Sequence, residues 1–317
     1  MSFAIRCRNL VKQYAGRPPV EAVRGVDLEV RSGECFGLLG PNGAGKTTTM
    51  EILEGLLTAT SADLMEVLGL AWGRDDMAIR RRIGISLQET RLTDKLTVLE
   101  TIVLFRSFYS SGLEPAEAIR RVSLDDKQGA LIEKLSGGQK QRLAVACAIV
   151  ADPELLFLDE PTTGLDPHSR RELWDIIREF RASGRTVLLT THYMDEAERL
   201  CDRVAVIDQG QVIALGTPVE LIARLGGQHI VDFSLTENGK PLTDDELRGI
   251  ASVQSVRREA NTISLAVGEP HVALPALMNH VQETGREFAT LTTRHATLED
   301  VFVTLTGRHL RDEEETT

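Results

Sequence analysis

The 317-residue chain has no excess of positive charge: 36 Lys and Arg stand against 47 Asp and Glu, a formal net charge of −11. General nucleic-acid binders draw most of their affinity from neutralised phosphates. The balance argues against such a role and leaves room only for a local cationic pocket. No apolar run approaches the roughly 18–20 residues that a spanning helix needs; the longest, Leu143 to Ala151 and Leu155 to Leu158, are short. The first residues, Met1 to Arg6, lack the charged, apolar and small-residue zones of a signal peptide. The four cysteines, Cys7, Cys35, Cys147 and Cys201, form no CxxC pair, as expected of reduced thiols in the cytoplasm. There is no internal repeat and no low-complexity region. The expected location is cytoplasmic, with any action at a membrane exerted through a partner.

With 42% hydrophobic residues the chain is globular. Its length fits one large domain, or a large one with a small one. Short apolar runs in the first two thirds end abruptly. Cys35 to Leu39 meets Gly40, Ile83 to Leu87 meets Gln88, Leu155 to Leu158 meets Asp159, and Val187 to Leu189 passes two threonines to His192. Such runs read as buried strands of a parallel sheet. A helical pattern over Lys46 to Leu57 places Met50, Leu53 and Leu57 on one face, and strands alternating with helices indicate an α/β architecture. Ligands of open parallel sheets bind beyond the carboxyl ends of the strands. One rim is therefore expected to gather Gly40–Thr47, Gln88, Asp159, Glu160 and His192.

A helix-rich insert is expected over about 94–151. After Gly226-Gly227 the pattern changes: strands at Ile230–Leu235, Val253–Val256 and Ile263–Val267, helices at Asp244–Ile250 and Val272–Glu283, and turns at Asn238-Gly239 and Glu259-Ala260-Asn261. This reads as a small α+β domain over 227–310 after a larger one over 1–226, with a disordered acidic tail over 311–317.

Gly40-Pro41-Asn42-Gly43-Ala44-Gly45-Lys46-Thr47 fits the G-x-x-x-x-G-K-[ST] pattern between a strand and a helix. Glycines let the backbone wrap a triphosphate, and exposed N–H groups at the helix start supply positive potential. Lys46 would reach the β/γ-phosphates, and the Thr47 hydroxyl would bind Mg²⁺. Asp159 could hold Mg²⁺ through water, and Glu160 could polarise the attacking water as general base. Ser136-Gly137-Gly138-Gln139 opens another helix. Ser136 and Gln139 match a capping box, but that does not account for two glycines. A second phosphate-binding turn in a chain with one nucleotide loop suggests that it completes a site on another copy or a partner.

In this order, Gly40–Thr47, Gln88, Leu135–Gln139, Asp159-Glu160, Gly164-Leu165-Asp166 and His192 resemble the ATP-binding subunits of ABC transporters over residues 3–222. Leu298-Glu299-Asp300-Val301-Phe302 resembles the ending of the daunorubicin-resistance branch of drug-export ATPases. The resemblance implies a P-loop ABC-type nucleotide-binding domain with a helical insert, plus a small α+β C-terminal domain. It implies hydrolysis of ATP with Mg²⁺, with Glu160 and His192 catalytic and His192 contacting the γ-phosphate. Tyr14 would stack on adenine; Gly40 to Thr47 and Thr48 would bind the nucleotide; Thr47, Gln88 and Asp159 would hold the metal. Ser136, Gly137, Gly138, Gln139 and Asp166 would act across a dimer, Asp166 serving also as a helix cap before Pro167.

The implied partners are a second ATPase subunit, expected to be identical, and a separate integral membrane permease that carries a drug-like or other small molecule. No nucleic acid is implied, and the place of action is the inner face of the cell membrane. A soluble ABC ATPase without a transport role and the ATPase of an importer share the same core and are the competing readings. The C-terminal ending favours export, and the absence of a second ATPase unit, a long coiled coil or zinc-type cysteines disfavours the soluble class.

Overall fold

The structure is a computed structural model that describes residues 2–88, 92–225, 227–236, 242–259 and 261–307. The expected Asn238-Gly239 turn, Ala260 and the acidic tail lie outside the described residues. Two compact units divide between Leu215 and Gly216.

The first unit begins with the antiparallel strands β1 (Phe3–Tyr14) and β2 (Val20–Arg31). There follow β3 (Cys35–Leu39), α1 (Lys46–Leu53), β4 (Leu64–Val67), α2 (Asp76–Arg80) and β5 (Ile83–Ser86). The insert supplies α3 (Val98–Ser107), α4 (Pro115–Arg121) and α5 (Gly137–Ile149). Then come β6 (Leu155–Asp159), α6 (Pro167–Ala182), β7 (Thr186–Thr191), α7 (Met194–Leu200), β8 (Arg203–Asp208) and β9 (Gln211–Gly216).

One sheet has the order β5-β6-β7-β3-β8-β9, with the first five strands parallel. Every residue of β3, β6 and β7 is buried, which is why these strands are continuous apolar runs rather than alternating ones. The other sheet, β2-β1-β4, is antiparallel. The main core joins Val26, Leu28 and Val30 of β2, Met50 and Leu53 of α1, and Phe36, Phe157 and Leu188 of the parallel sheet.

The helix expected to reach Leu57 ends at Leu53. Gly55 turns left-handed at φ +74°, and any side chain there would meet the Trp72 ring at 2.7 Å. The Trp72 indole also donates to the Leu53 carbonyl at 3.0 Å. Leu57 still packs on the core, but from the chain that follows the helix.

In the second unit, α8 (Pro218–Ala223) precedes β10 (His229–Leu235), α9 (Asp244–Arg248), β11 (Val253–Glu259), β12 (Thr262–Val267), α10 (Pro270–Glu283), β13 (Phe288–His295) and α11 (Leu298–Thr306). The antiparallel order β11-β12-β10-β13 with two crossing helices is the ferredoxin-like β-α-β-β-α-β arrangement. One sheet face buries Val231, Phe233 and Leu265 against Leu247, Leu277 and Val281. On a separate cluster, Ile222 and Leu225 pack against Ile230, Ala266 and Ala296. That contact explains why the division falls before α8 and not at the expected Gly226.

Candidate nucleotide site

β3 delivers the chain into the loop Gly40–Gly45, and α1 starts at Lys46. Two glycines are required by space. A Cβ on Gly40 would lie 2.1 Å from the Ile207 carbonyl oxygen. Gly45 has φ +99°, and a Cβ there would lie 2.3 Å from the Ala22 carbonyl oxygen. Only bare backbone can thread this path between β2 and β8. The Lys46 ammonium is buried and donates to the carbonyls of Gly40 at 2.9 Å and Pro41 at 3.0 Å. The loop thus folds around the group expected to meet phosphate.

β6 ends in Asp159, and Glu160 follows with a left-handed φ of 44°. That conformation is uncommon outside glycine. It turns the Glu160 carboxylate into a cluster at the strand ends. Oε1 lies 3.6 Å from Lys46 Nζ. Oε2 accepts from Gln88 Nε2 at 3.2 Å and Thr163 Oγ1 at 3.1 Å, and lies 3.3 Å from His192 Nδ1. The neighbouring His192, then Lys46, outweigh burial and hold the Glu160 carboxyl below the usual carboxylate range.

Asp159 is shifted the other way. Burial raises its pKa, while hydrogen bonds from Thr190 and Thr47 work against the rise. Thr190 Oγ1 donates to Asp159 Oδ1 at 2.5 Å and Thr47 Oγ1 donates to the same oxygen at 3.2 Å. The Thr190 hydroxyl also accepts the Glu160 backbone N–H at 2.9 Å. Thr190 and Thr163 were not among the candidates from sequence. Thr190 stands one residue inside the strand end that leads to His192, and a hydroxyl there was the available signal. For magnesium, the Thr47 hydroxyl and the Asp159 carboxylate are adjacent hard oxygen donors of the kind that ion takes.

The structure therefore brings Lys46, Thr47, Gln88, Asp159, Glu160 and His192 together, from the ends of four parallel strands. Other candidates sit apart. Tyr14 ends β1, is 38% exposed, and carries the Lys12 ammonium 5.2 Å above its ring. Among the described residues, its ring meets Lys12 and not the loop. Ser136 caps α5 in a complete capping box: its hydroxyl accepts from Gln139 N at 3.3 Å, and Gln139 Oε1 accepts from Ser136 N at 3.0 Å. Gly137 and Gly138 form the first turn. Asp166 caps α6, accepting from His168 N and Ser169 N at 2.9 and 3.1 Å and from Ser169 Oγ at 2.6 Å. The Ser169 hydroxyl, with those two N–H groups, draws its pKa down to about 2.

A parallel sheet that feeds a Gly-rich loop into a helix, with a buried lysine on the loop and two carboxylates at the adjacent strand end, defines a P-loop nucleotide-binding protein. Residues 23–163 match the ABC transporter family. The chain is 40% identical to the Nod factor export ATP-binding protein I of Cupriavidus metallidurans, over 98% of this chain and all of that one. It is 39% identical to a daunorubicin resistance ATP-binding protein of Streptomyces coeruleorubidus, over 98% of each. An ATP-binding cassette dimer in a post-hydrolysis state with ADP and Pi superposes with a TM-score of 0.59 at 25% identity, over 67% of this chain and 98% of that one. The ATP-binding subunit of another ABC transporter gives 0.62 at 28% identity, over 70% and 93%. The chain belongs to the ABC transporter family as an ATP-binding, ATP-hydrolysing subunit of the export-type branch. Among the described residues no helix is long and apolar enough to cross a membrane.

Proposed function

We propose that two identical copies of this chain close over ATP and power export of a drug-like or other small molecule through a separate integral membrane permease. Glu160 carries the reading: one carboxylate at the strand ends is held among Lys46, Gln88, Thr163 and His192 at 3.1–3.6 Å. In this reading the loop Gly40–Gly45 and Thr48 wrap the triphosphate, and Tyr14 stacks on adenine. Phosphate oxygens take the Lys46 ammonium from the Gly40 and Pro41 carbonyls. Once Lys46 turns to phosphate, Glu160 loses one of the charges that lower its basicity and can accept a proton from water. His192 then orients the γ-phosphate. Thr47, Asp159 and Gln88 would hold magnesium, which supplies charge stabilisation at the β/γ-phosphates.

Ser136, Gly137, Gly138, Gln139 and Asp166 reach the nucleotide of the other copy. Closure then depends on contacts to the γ-phosphate from both sides, and its removal reopens the pair. The insert supplies the permease contact: Leu99, Val103, Leu104 and Phe108 of α3 and its end are exposed, Phe108 by 68%. Exposed large apolar side chains grouped on one short helix suit a protein partner. The chain then works at the inner face of the membrane without entering it, and nucleic acid is not a ligand.

Two variants test the assignment. Lys46→Ala is expected to weaken ATP binding itself. Glu160→Gln is expected to bind ATP normally, to lose about 10²-fold or more in phosphate release, and to accumulate as an ATP-dependent dimer by light scattering, alone or in the membrane complex. Adding Ser136→Arg should abolish that dimer. Full turnover by Glu160→Gln would remove Glu160 as the base.

A further inference from the structure

In the first unit, α6 and α7 line an open cleft of about 470 Å³ with Arg170, Arg171, Trp174, Arg178, Asp195 and Arg199, among others. Four guanidinium groups gather there in a chain whose overall charge is −11. Arg178 is satisfied by its own helix, donating to Asp175 at 2.7 Å. The others are held by different means. Arg171 donates Nε to the Pro167 carbonyl at 2.9 Å. Arg199 lies over the Trp174 ring at 5.6 Å and Arg170 over the Tyr193 ring at 4.4 Å. The ion pair of Arg170 with Asp195 is long, 3.9 Å, and its buried Nε has no hydrogen-bond partner among the described residues.

A helix face that is only solvated would pair its arginines with acids of neighbouring turns, as Arg178 does. Here Arg171 and Arg199 pair with no carboxylate among the described residues, yet both are anchored. A planar guanidinium fixed by a ring or a carbonyl keeps its outer N–H edge free and loses little entropy on binding; that edge matches phosphate oxygens bidentately. The cleft's volume lies in the range of small-ligand sites, roughly 300–1,000 Å³. Trp174, 6% exposed, forms a rigid wall because its indole donates to the buried Glu196 at 3.0 Å.

We propose that this cleft is a second anion site, which binds a phosphate-bearing ligand through Arg171 and Arg199 with Arg170 behind them. The phosphate belongs either to a small soluble polyphosphate or to a lipid headgroup. α6 follows the Asp166 cap and α7 begins two residues after His192, so a ligand bridging them braces two elements that flank the nucleotide site.

Trp174 is one of two tryptophans, so Trp72→Phe leaves it as the sole reporter. Inorganic pyrophosphate is titrated into the full chain carrying Trp72→Phe, with Lys46→Ala added to weaken the competing nucleotide loop. The expected result is a saturable change in Trp174 emission. R171Q/R199Q should weaken it at least tenfold, and R171K/R199K should restore part of it. If Trp72→Phe does not fold, equilibrium dialysis of labelled pyrophosphate against Lys46→Ala with and without R171Q/R199Q makes the same comparison. The second arm floats the full chain on phosphatidylglycerol or phosphatidylcholine vesicles. Selective phosphatidylglycerol binding that R171Q/R199Q abolishes, with no pyrophosphate signal, assigns the headgroup; the converse assigns the soluble anion. Absence of binding in both arms, binding unchanged by R171Q/R199Q, or hexaglutamate binding more tightly than pyrophosphate overturns the proposal.

Discussion

Gly138 has no room for a side chain. A Cβ there would lie 2.3 Å from Ser169 Oγ and 2.6 Å from its Cβ. The start of α5 thus rests directly on the capped start of α6, and Ser169 is held by Asp166. Overpacking of this kind costs about 1–3 kcal/mol. Gly138→Ala is therefore expected to leave ATP binding to the isolated chain intact and to lower turnover, because it pushes apart two turns proposed to meet the opposing nucleotide. Ser169→Gly removes both colliding atoms and should recover part of the loss. A double-mutant cycle on phosphate release checks this, and strict additivity of the two changes would contradict it.

Glu54 is a second residue whose environment makes a specific demand. It is 3% exposed, and neither carboxylate oxygen has a hydrogen-bond partner among the described residues. Burial first, then Asp159 and Glu51, push its pKa up to about 8. Its folded pKa lies above the unfolded value of about 4.3, so the folded state keeps the proton longer. Its penalty is absent below about pH 4, grows as pH rises toward 8 and is complete above that. The upper bound is about 5 kcal/mol, from the size of the shift. Glu54→Gln cannot ionise, so its melting temperature should fall less than that of the unaltered chain between pH 5 and 8.5. Parallel melting curves over that range would refute the buried-acid account.

At the scale of elements, α11 shows why two acids inside an apolar motif are not equivalent. Leu298, Val301 and Phe302 are buried, and so is Asp300. Asp300 accepts from Thr297 N at 2.9 Å, which caps the helix, and from both terminal nitrogens of Arg294 on β13 at 2.7 and 2.9 Å. Burial works to raise its pKa, but Arg294 and the cap outweigh it and hold the carboxyl low. Arg294 is 40% exposed and also pairs with Asp232 at 2.9 Å, so loss of Asp300 costs less than the roughly 3–5 kcal/mol of a fully buried pair, and the cap is lost with it. Asp300→Ala should therefore speed amide hydrogen exchange in β10, β12 and β13 while exchange in β3 and β6 stays slow. Equal protection before and after the change would show the pair to be dispensable.

The same scale decides what was legible in the sequence. β3, β6 and β7 are buried on both faces, so their residues form short unbroken apolar runs that end where the chemistry begins. The strand-end residues could be named for that reason. β1 and β2 could not be placed this way. Their burial does not alternate cleanly, and Asn9 at φ 49° and several register shifts break the period. β13 reads Phe-Ala-Thr-Leu-Thr-Thr-Arg-His and is mostly exposed; Phe288 and Leu291 alone pack on the core, three residues apart, so no strand-like alternation shows. Within the site, Lys46, Asp159 and Glu160 were readable from spacing, whereas Thr190 showed only a hydroxyl near a strand end, and its place beside Asp159 depends on the pairing between β6 and β7.

For the whole molecule, the consequence lies in where the two units part. Every residue gathered at the strand ends precedes Leu215, and so does the core beneath them. A truncation ending at Leu215 is therefore expected to bind ATP with an affinity close to that of the full chain. The sequence alone would have set the cut near Gly226, and the structure gives a reason to expect a worse protein from it. Residues 216–226 contain α8, whose Leu221 is fully buried and whose Ile222, with Leu225, packs on Ile230, Ala266 and Ala296. Cutting at 226 keeps these apolar side chains and deletes the surface that covers them. Stranded apolar area of that kind promotes association. Sedimentation velocity should find the 1–215 fragment monomeric without nucleotide and the 1–226 fragment self-associating, while calorimetry finds ATP affinity in both. A folded 1–215 fragment without ATP affinity would show that the second unit contributes to the nucleotide site. A 1–226 fragment as monodisperse as 1–215 would show that α8 does not depend on its partners in the second unit for cover.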